Sequence, residues 1–262
     1  MRNIEVKVLN PDAVKNAEMM MIAMARLTQR GHEISNMQDF ENLLSKPYTK
    51  ELVDTMVDLP HPTIQKFGVI NVAIVGASRR FLAQITRHQN EVKFMSGSLQ
   101  YSDYSGAAQF VVPYEILKAD EVSNSAICCI TDNWHQKHYF KSCEQSLKSY
   151  EDLVKEVGRD AAGYAMPQGL RNVLLISATP YQWKHMIRQR TCNRNTLETQ
   201  YVMLCIWEQL FKLSPMFRQC GPYCTYLEEP NCPEGKMQCH KPYHCNMSPT
   251  RILNTKFKLI RR

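Results

Sequence analysis

The chain has 262 residues, 44% hydrophobic and 22% charged, with a net charge of +7. That length suits one large domain or two small ones with a substantial core, and the composition excludes a disordered chain. The modest positive balance favours anionic partners such as nucleotides, folates or nucleic acid, yet no Lys/Arg block is long enough to make a nucleic-acid arm.

Residues 1–9 alternate charged and apolar side chains, unlike a secretory leader, and no apolar run approaches the ~18 residues of a membrane span. A cytoplasmic protein is expected, with no membrane or nucleic-acid partner. In that reducing setting the ten cysteines point to metal binding or packing before disulfides.

Ile4–Leu9 alternates with period two and stops at Asn10-Pro11, which predicts a first strand. Pro11-Asp12 opens a helix running to Leu27, with Ala17, Met20, Met21, Met24 and Leu27 on its apolar side. Residues 39–57 read as one or two amphipathic helices, and Leu59–Thr63 as a proline-punctuated turn. Phe67–Val75 is a β-rich run bounded by Gly76, and Ala77–Arg87 a short helix.

A polar loop with Ser96, Gly97 and Ser98 follows, then an extended Leu99-Gln100-Tyr101, and Phe110–Val112 reads as a short strand. Glu121–Val157 is one long helix, or two with a break, stopped by Gly158. Leu170–Ala178 reads as a strand, Tyr181–Arg190 as a helix with Pro180 at its first position, and Thr196–Lys212 as another helix. Residues 246–262 are a basic tail without a clear pattern. The mixture argues for an α+β fold.

The most chemically loaded stretch is Arg87-His88-Gln89 with the run to Tyr101. A cation, an imidazole and small hydroxyl residues after a helix can hold an anion, because Arg and the N–H groups of small residues are fixed donors. A solvated loop is the plain alternative.

Several segments together resemble the flavin-dependent thymidylate synthases, the ThyX family. Its signature is Arg-His-Arg followed, after a short gap, by Ser and a closing Arg-Tyr. Here Arg87-His88-Gln89 and Ser98-Leu99-Gln100-Tyr101 stand in that relation, with Ser78-Arg79 and Gln84 upstream. Ala25-Arg26-Leu27-Thr28 and His61-Pro62-Thr63 resemble earlier family segments, and Met166-Pro167 and Ile187–Arg194 with Glu198 resemble later ones. Some members also carry a Cys-rich tail. The collinear matches span roughly residues 18–240.

The resemblance implies a central, mostly antiparallel sheet with long helices. It implies a catalytic domain over 1–218 and a Cys-rich extension over 219–262. It also implies methylation of deoxyuridylate to thymidylate, with FAD as cofactor, NADPH and methylenetetrahydrofolate as co-substrates, and a homotetramer. By carry-over the flavin contacts fall on Thr28, Thr63, Arg87, His88, Gln89 and Arg194, and the nucleotide contacts on Gln84, Arg87, Ser98, Gln100 and Arg190. Arg190 would polarise the pyrimidine, and Ser98 would hydrogen-bond the nucleotide rather than attack it.

The chain departs from the pattern at Gln89, Gln100 and Gly163, where the family has Arg, at Ser96, where an acidic residue is usual, and at Thr179 and Tyr181, near the flavin. A pocket for another pyrimidine nucleotide (dCMP, or a hydroxymethylated product) and a non-catalytic nucleotide-binding homologue therefore stay open beside thymidylate synthesis. Lys93, Arg171 and Arg188 are the cations able to compensate. For Arg190 and Arg194 the alternative is an exposed basic helix face.

Cys220, Cys224, Cys232 and Cys239 are the candidate ligands of a zinc ion, with His240, His244 and Cys245 as substitutes. Their spacing is looser than paired C-x2-C motifs, and reduced unligated thiols are the alternative. Cys128 and Cys129, adjacent on a helix, read as packing residues.

Overall fold

The computed structural model describes residues 1, 3–59, 61–125, 133–222, 224, 232, 234–240 and 247–261. Its sheet has four strands in the order β1-β2-β4-β3, every neighbouring pair antiparallel: β1 (Glu5–Val8), β2 (Ile70–Ser78), β3 (Val92–Ser96) and β4 (Arg171–Ala178). The α-helices are α1 (Pro11–Arg30), α2 (Met37–Ser45), α3 (Lys50–Asp58), α4 (Arg79–Ile85), α5 (Tyr114–Ser125), α6 (Trp134–Val157), α7 (Arg159–Ala162), α8 (Pro180–Arg190), α9 (Leu197–Leu213) and α10 (Pro249–Lys256). The expected α+β architecture with an antiparallel sheet and long helices is the one observed.

Period-two alternation sorts β2 and β4 into two faces. Ile70, Val72, Ile74, Leu174 and Ile176 are buried against a core that α1, α8, α9 and α10 supply. Trp183 of α8 fills that core and donates from its indole nitrogen to the Ile70 carbonyl at 3.0 Å, so the helix is tied to the start of β2. On the opposite face Val75, Val173, Leu175 and Met95 are exposed and adjacent, through the pairs Val75–Val173 and Met95–Leu175. Between Val75 and Ala77 the register shifts at a bulge. Gly76 sits there with φ of 86°, and a Cβ on it would lie 2.7 Å from the Asn3 carbonyl oxygen, so only glycine fits.

Four sequence expectations need correction. β3 lies where a polar loop was read, because its five residues form an edge strand whose apolar positions are half-buried (Val92, Phe94) or exposed (Met95). Leu99-Gln100-Tyr101 is a turn, not an extended segment: the Ser98 hydroxyl captures the next N–H groups and curls the chain. Phe110–Val112 makes only an isolated bridge, Phe110 to Leu170. The basic tail contains α10, which opens with a Ser248 cap on the Arg251 N–H; its Ile252 and Leu253, and Phe257 just past its end, are completely buried in the same core as α9. β2 also starts three residues later than expected, at Ile70. The long helical stretch is two helices, and Cys128 and Cys129 lie outside the described residues. Among the described residues no helix is long and apolar enough to cross a membrane.

Candidate active site

α4 follows β2 directly. Ser78 ends the strand and caps the helix, accepting from Phe81 N at 3.1 Å. After seven helical residues the chain turns at Thr86 and presents Arg87, exposed, and His88, which is 7% exposed. α8 runs to Arg190 and the α8–α9 turn brings Asn195. Arg190 Nε donates to His88 Nε2 at 2.9 Å, and its Nη1 donates to Asn195 Oδ1 at 3.4 Å.

The acceptor role of Nε2 puts the His88 proton on Nδ1, the neutral tautomer. Burial, then Arg190 and His185, lower the His88 pKa to about 4, so the imidazole is neutral at physiological pH. His185 stacks edge-on against it, ring centroids 5.6 Å apart, and its own pKa is also lowered, first by burial. Burial, then Arg87, pull Arg190 below its ordinary value. Two guanidinium groups thus crowd one neutral imidazole, a surplus of positive charge that an anion would relieve.

Gln84, one turn earlier on α4, is held by α9. Its Oε1 accepts from Thr199 Oγ1 at 2.6 Å and Thr196 Oγ1 at 3.3 Å, which leaves its amide N–H2 as the outward donor. Ser98 lies elsewhere. Its loop packs by the N-terminal end of α4, where Arg79 Nη1 reaches the Gly97 carbonyl at 3.5 Å, while Arg87 follows the other end, roughly 12 Å along the axis. Ser98 Oγ accepts from Gln100 N at 3.1 Å and Tyr101 N at 3.3 Å, so its own O–H remains to donate, and Gln100 is exposed on the same turn.

The structure therefore joins Gln84, Arg87, His88 and Arg190 within one chain. Gln89 is exposed beside them. Thr28, whose hydroxyl donates to the Ala25 carbonyl at 2.8 Å, and Thr63 are exposed at the surface. Thr63 lies in the short 3-10 turn Pro62–Gln65, which forms one wall of a cavity of about 330 Å³ shared with Lys184, His185 and Arg188 of α8. Arg194 is ion-paired with Glu234.

Of the departing residues, Thr179 is bound to Glu91 at 2.9 Å and caps α8, and Tyr181 lies under Lys66. Leu99 packs so closely on Gly163 that a Cβ there would lie 3.3 Å from the Leu99 Cβ. Arg171 is occupied by Asn3 and Gln109. Sequence reasoning missed His185, Asn195 and Thr199. The Thr196–Thr199 capping pattern was the one readable signal, since His185 and Asn195 matter only through tertiary contact.

The four cysteines proposed as a metal set do not assemble. Cys220 is fully buried, donates to the Phe217 carbonyl at 3.1 Å, and lies by Lys184 and Arg188. Among the described residues no three His, Cys, Asp or Glu side chains converge closely enough to hold a metal ion. His244 and Cys245 lie outside the described residues.

The family model for thymidylate synthase complementing protein, Thy1, matches residues 11–216. The chain belongs to this family. Among curated Thy1 relatives, a flavin-dependent thymidylate synthase of Clostridium tetani is 24% identical over 92% of this chain and 95% of its own length. That of Thermococcus onnurineus is 25% identical over 68% and 69%. Two solved structures share the fold. One is thymidylate synthase X from Helicobacter pylori with FAD and dUMP (TM-score 0.58, 18% identity, 83% of this chain and 98% of that one). The other is the UMP/dUMP methylase PolB from Streptomyces cacaoi with 5-Br dUMP (TM-score 0.59, 14% identity, 82% and 93%). At these identities the Thy1 fold is what the two structures have in common with this one.

Proposed function

We propose that the protein is a flavin-dependent methyltransferase acting on C5 of a pyrimidine deoxynucleotide, a thymidylate synthase in its reaction. The pairing of Arg190 with a neutral His88, beside Arg87 and Gln84, carries this reading. The donor set fits an anionic dinucleotide: Arg87, Arg188 and Arg190 supply cations, and the cavity between the Thr63 turn and α8 abuts His185, which contacts His88. When bound, FAD would supply the two electrons drawn from NADPH that reduce a folate-borne methylene to methyl.

The chain's own groups bind and orient. Arg190, fixed by His88 and Asn195, directs its remaining N–H groups at a pyrimidine carbonyl and draws charge from the ring as C5 is alkylated and loses its proton. His88 stays neutral, so it accepts from Arg190 without adding a third positive charge. Gln84 offers an amide N–H2 and Ser98 a hydroxyl.

The separation of Ser98 from Arg190 supports a site completed by a second copy. The exposed apolar strip of Val75, Val173, Leu175 and Met95 supports a homo-oligomer, in this reading a tetramer.

A second reading keeps the chemistry and changes the nucleotide. Leu99 fills the space beside Gly163, and the PolB structure is that of a UMP/dUMP methylase. One assay decides. Purified protein should release FAD on denaturation and, given NADPH and methylenetetrahydrofolate, should form dTMP from dUMP. Product from UMP or dCMP alone selects the second reading. Colourless protein that binds no added FAD overturns both.

A further inference from the structure

Lys184 stands in the middle of α8 and is 6% exposed. A buried ammonium is costly unless a counter-charge or several acceptors surround it. Among the described residues its one hydrogen bond is to Gln65 Oε1, at 2.9 Å. Gln65 is buried too and donates from Nε2 to the Val57 carbonyl at 3.3 Å, which fixes its amide with Oε1 turned to the lysine. That acceptor is neutral. Burial, the largest cause, takes the Lys184 pKa down to about 8; Cys220 opposes the fall, Arg188 adds to it and Asp58 opposes it. The Cys220 thiol is itself pushed up to about 12 by burial, so it carries no negative charge at neutral pH to offset the ammonium.

Lys184 and Gln65 line the cavity of about 330 Å³ between the Thr63 turn and α8, with Asp58, Tyr181, His185 and Arg188. Lys184 and Arg188 are four residues apart and share one helix face. Two cations against one carboxylate leave this wall with surplus positive charge. From the lone buried ammonium we propose that Lys184 is the counter-ion of a phosphate group bound in this cavity. The assignment rests on the flavin reading above, and the phosphate is then one of FAD. Lys184 keeps two N–H donors beyond the one that Gln65 takes, and a phosphate oxygen accepts such bonds strongly. A neutral ring carbonyl would leave the surplus charge standing, whereas a phosphate cancels it.

The test titrates FAD into the full chain and follows the quenching of flavin fluorescence. Lys184→Met keeps the length and removes the charge. It should weaken FAD binding roughly 10- to 100-fold, the loss of a charge-assisted hydrogen bond. Riboflavin, which has the ring and no phosphate, should bind wild type and Lys184→Met alike. Should the variant fail to fold, calorimetry of wild type decides. Lys184 is half deprotonated near pH 8 in the free protein and is reprotonated against a phosphate, so FAD binding should take up protons at about pH 8 to 9. The other charged or titratable groups around it are Asp58 of α3, Tyr181, His185 and Arg188 of α8, and Cys220. His185 is lowered below its ordinary value and Cys220 is pushed to about 12, so neither supplies that uptake. Equal FAD affinity in wild type and Lys184→Met, an equal loss for riboflavin, or no proton uptake by wild type overturns the assignment and leaves the proposed reaction standing. Wild type that binds no FAD overturns both.

Discussion

Because the folded chain holds His88 deprotonated, acid should unfold the protein in part through this one residue. Its pKa falls from 6.5 to about 4 in the folded state. The unfolded chain therefore binds more protons between those values, and stability must rise with pH across that window. The contribution is complete above 6.5 and is lost as pH falls toward 4. At about 1.4 kcal/mol per pKa unit the shift sets a ceiling of about 3.5 kcal/mol, which partial solvent access trims to about 2. The perturbation is His88→Gln, whose Oε1 can still accept from Arg190 Nε but does not titrate. Urea unfolding of wild type and variant at several pH values between 4 and 7 measures the difference. Wild type should lose about 2 kcal/mol more than the variant on acidification. A residual slope is expected in the variant, because His185 is lowered in the same direction. Parallel stability curves for the two proteins would refute the reasoning.

Arg190→Lys keeps the charge but loses the planar fork that reaches both His88 and Asn195. Nucleotide binding by calorimetry should weaken roughly 10- to 100-fold, the loss of one charge-assisted hydrogen bond, and unchanged affinity would remove Arg190 from the site. Phe257→Ala empties a fully buried position at the C-terminal end of α10 and should cost about 3–5 kcal/mol in denaturant unfolding; a cost below about 1 kcal/mol would mean that the tail is not part of the core. Val173→Asp on the exposed sheet face should reduce the mass seen by light scattering without lowering helix content. If the mass holds, the strip is not the interface between copies.

The strands and helices that a residue pattern could reveal were those with a sealed face. β2, β4 and α8 are buried on one side or more and α9 nearly all round, and their periodicity or caps announced them. β3 escaped because an edge strand is held by its ladder with β4 more than by its own residues. α10 escaped because Ile252, Leu253 and Phe257 are too few to show a period, although all three are fully buried. At the site, Arg87, His88 and Arg190 were legible through resemblance. Their pairing was not, since residues 102 apart in sequence meet only through the packing of α4 and α8.

α4 and α9 are lashed to each other twice, and each knot ties a capping residue of one helix to a side chain of the other. Glu198, half-buried and with its pKa raised by desolvation, accepts from Ser78 N at 2.7 Å and Ser78 Oγ at 2.6 Å. Thr196 and Thr199 in return hold Gln84. Two moorings fix a rod against both rolling and sliding, whereas one would leave a pivot. The aim of Arg87 and His88 is therefore set by α9, through Glu198, Thr196 and Thr199. A mutational screen read only through activity will rank Glu198 and Thr199 alongside the arginines.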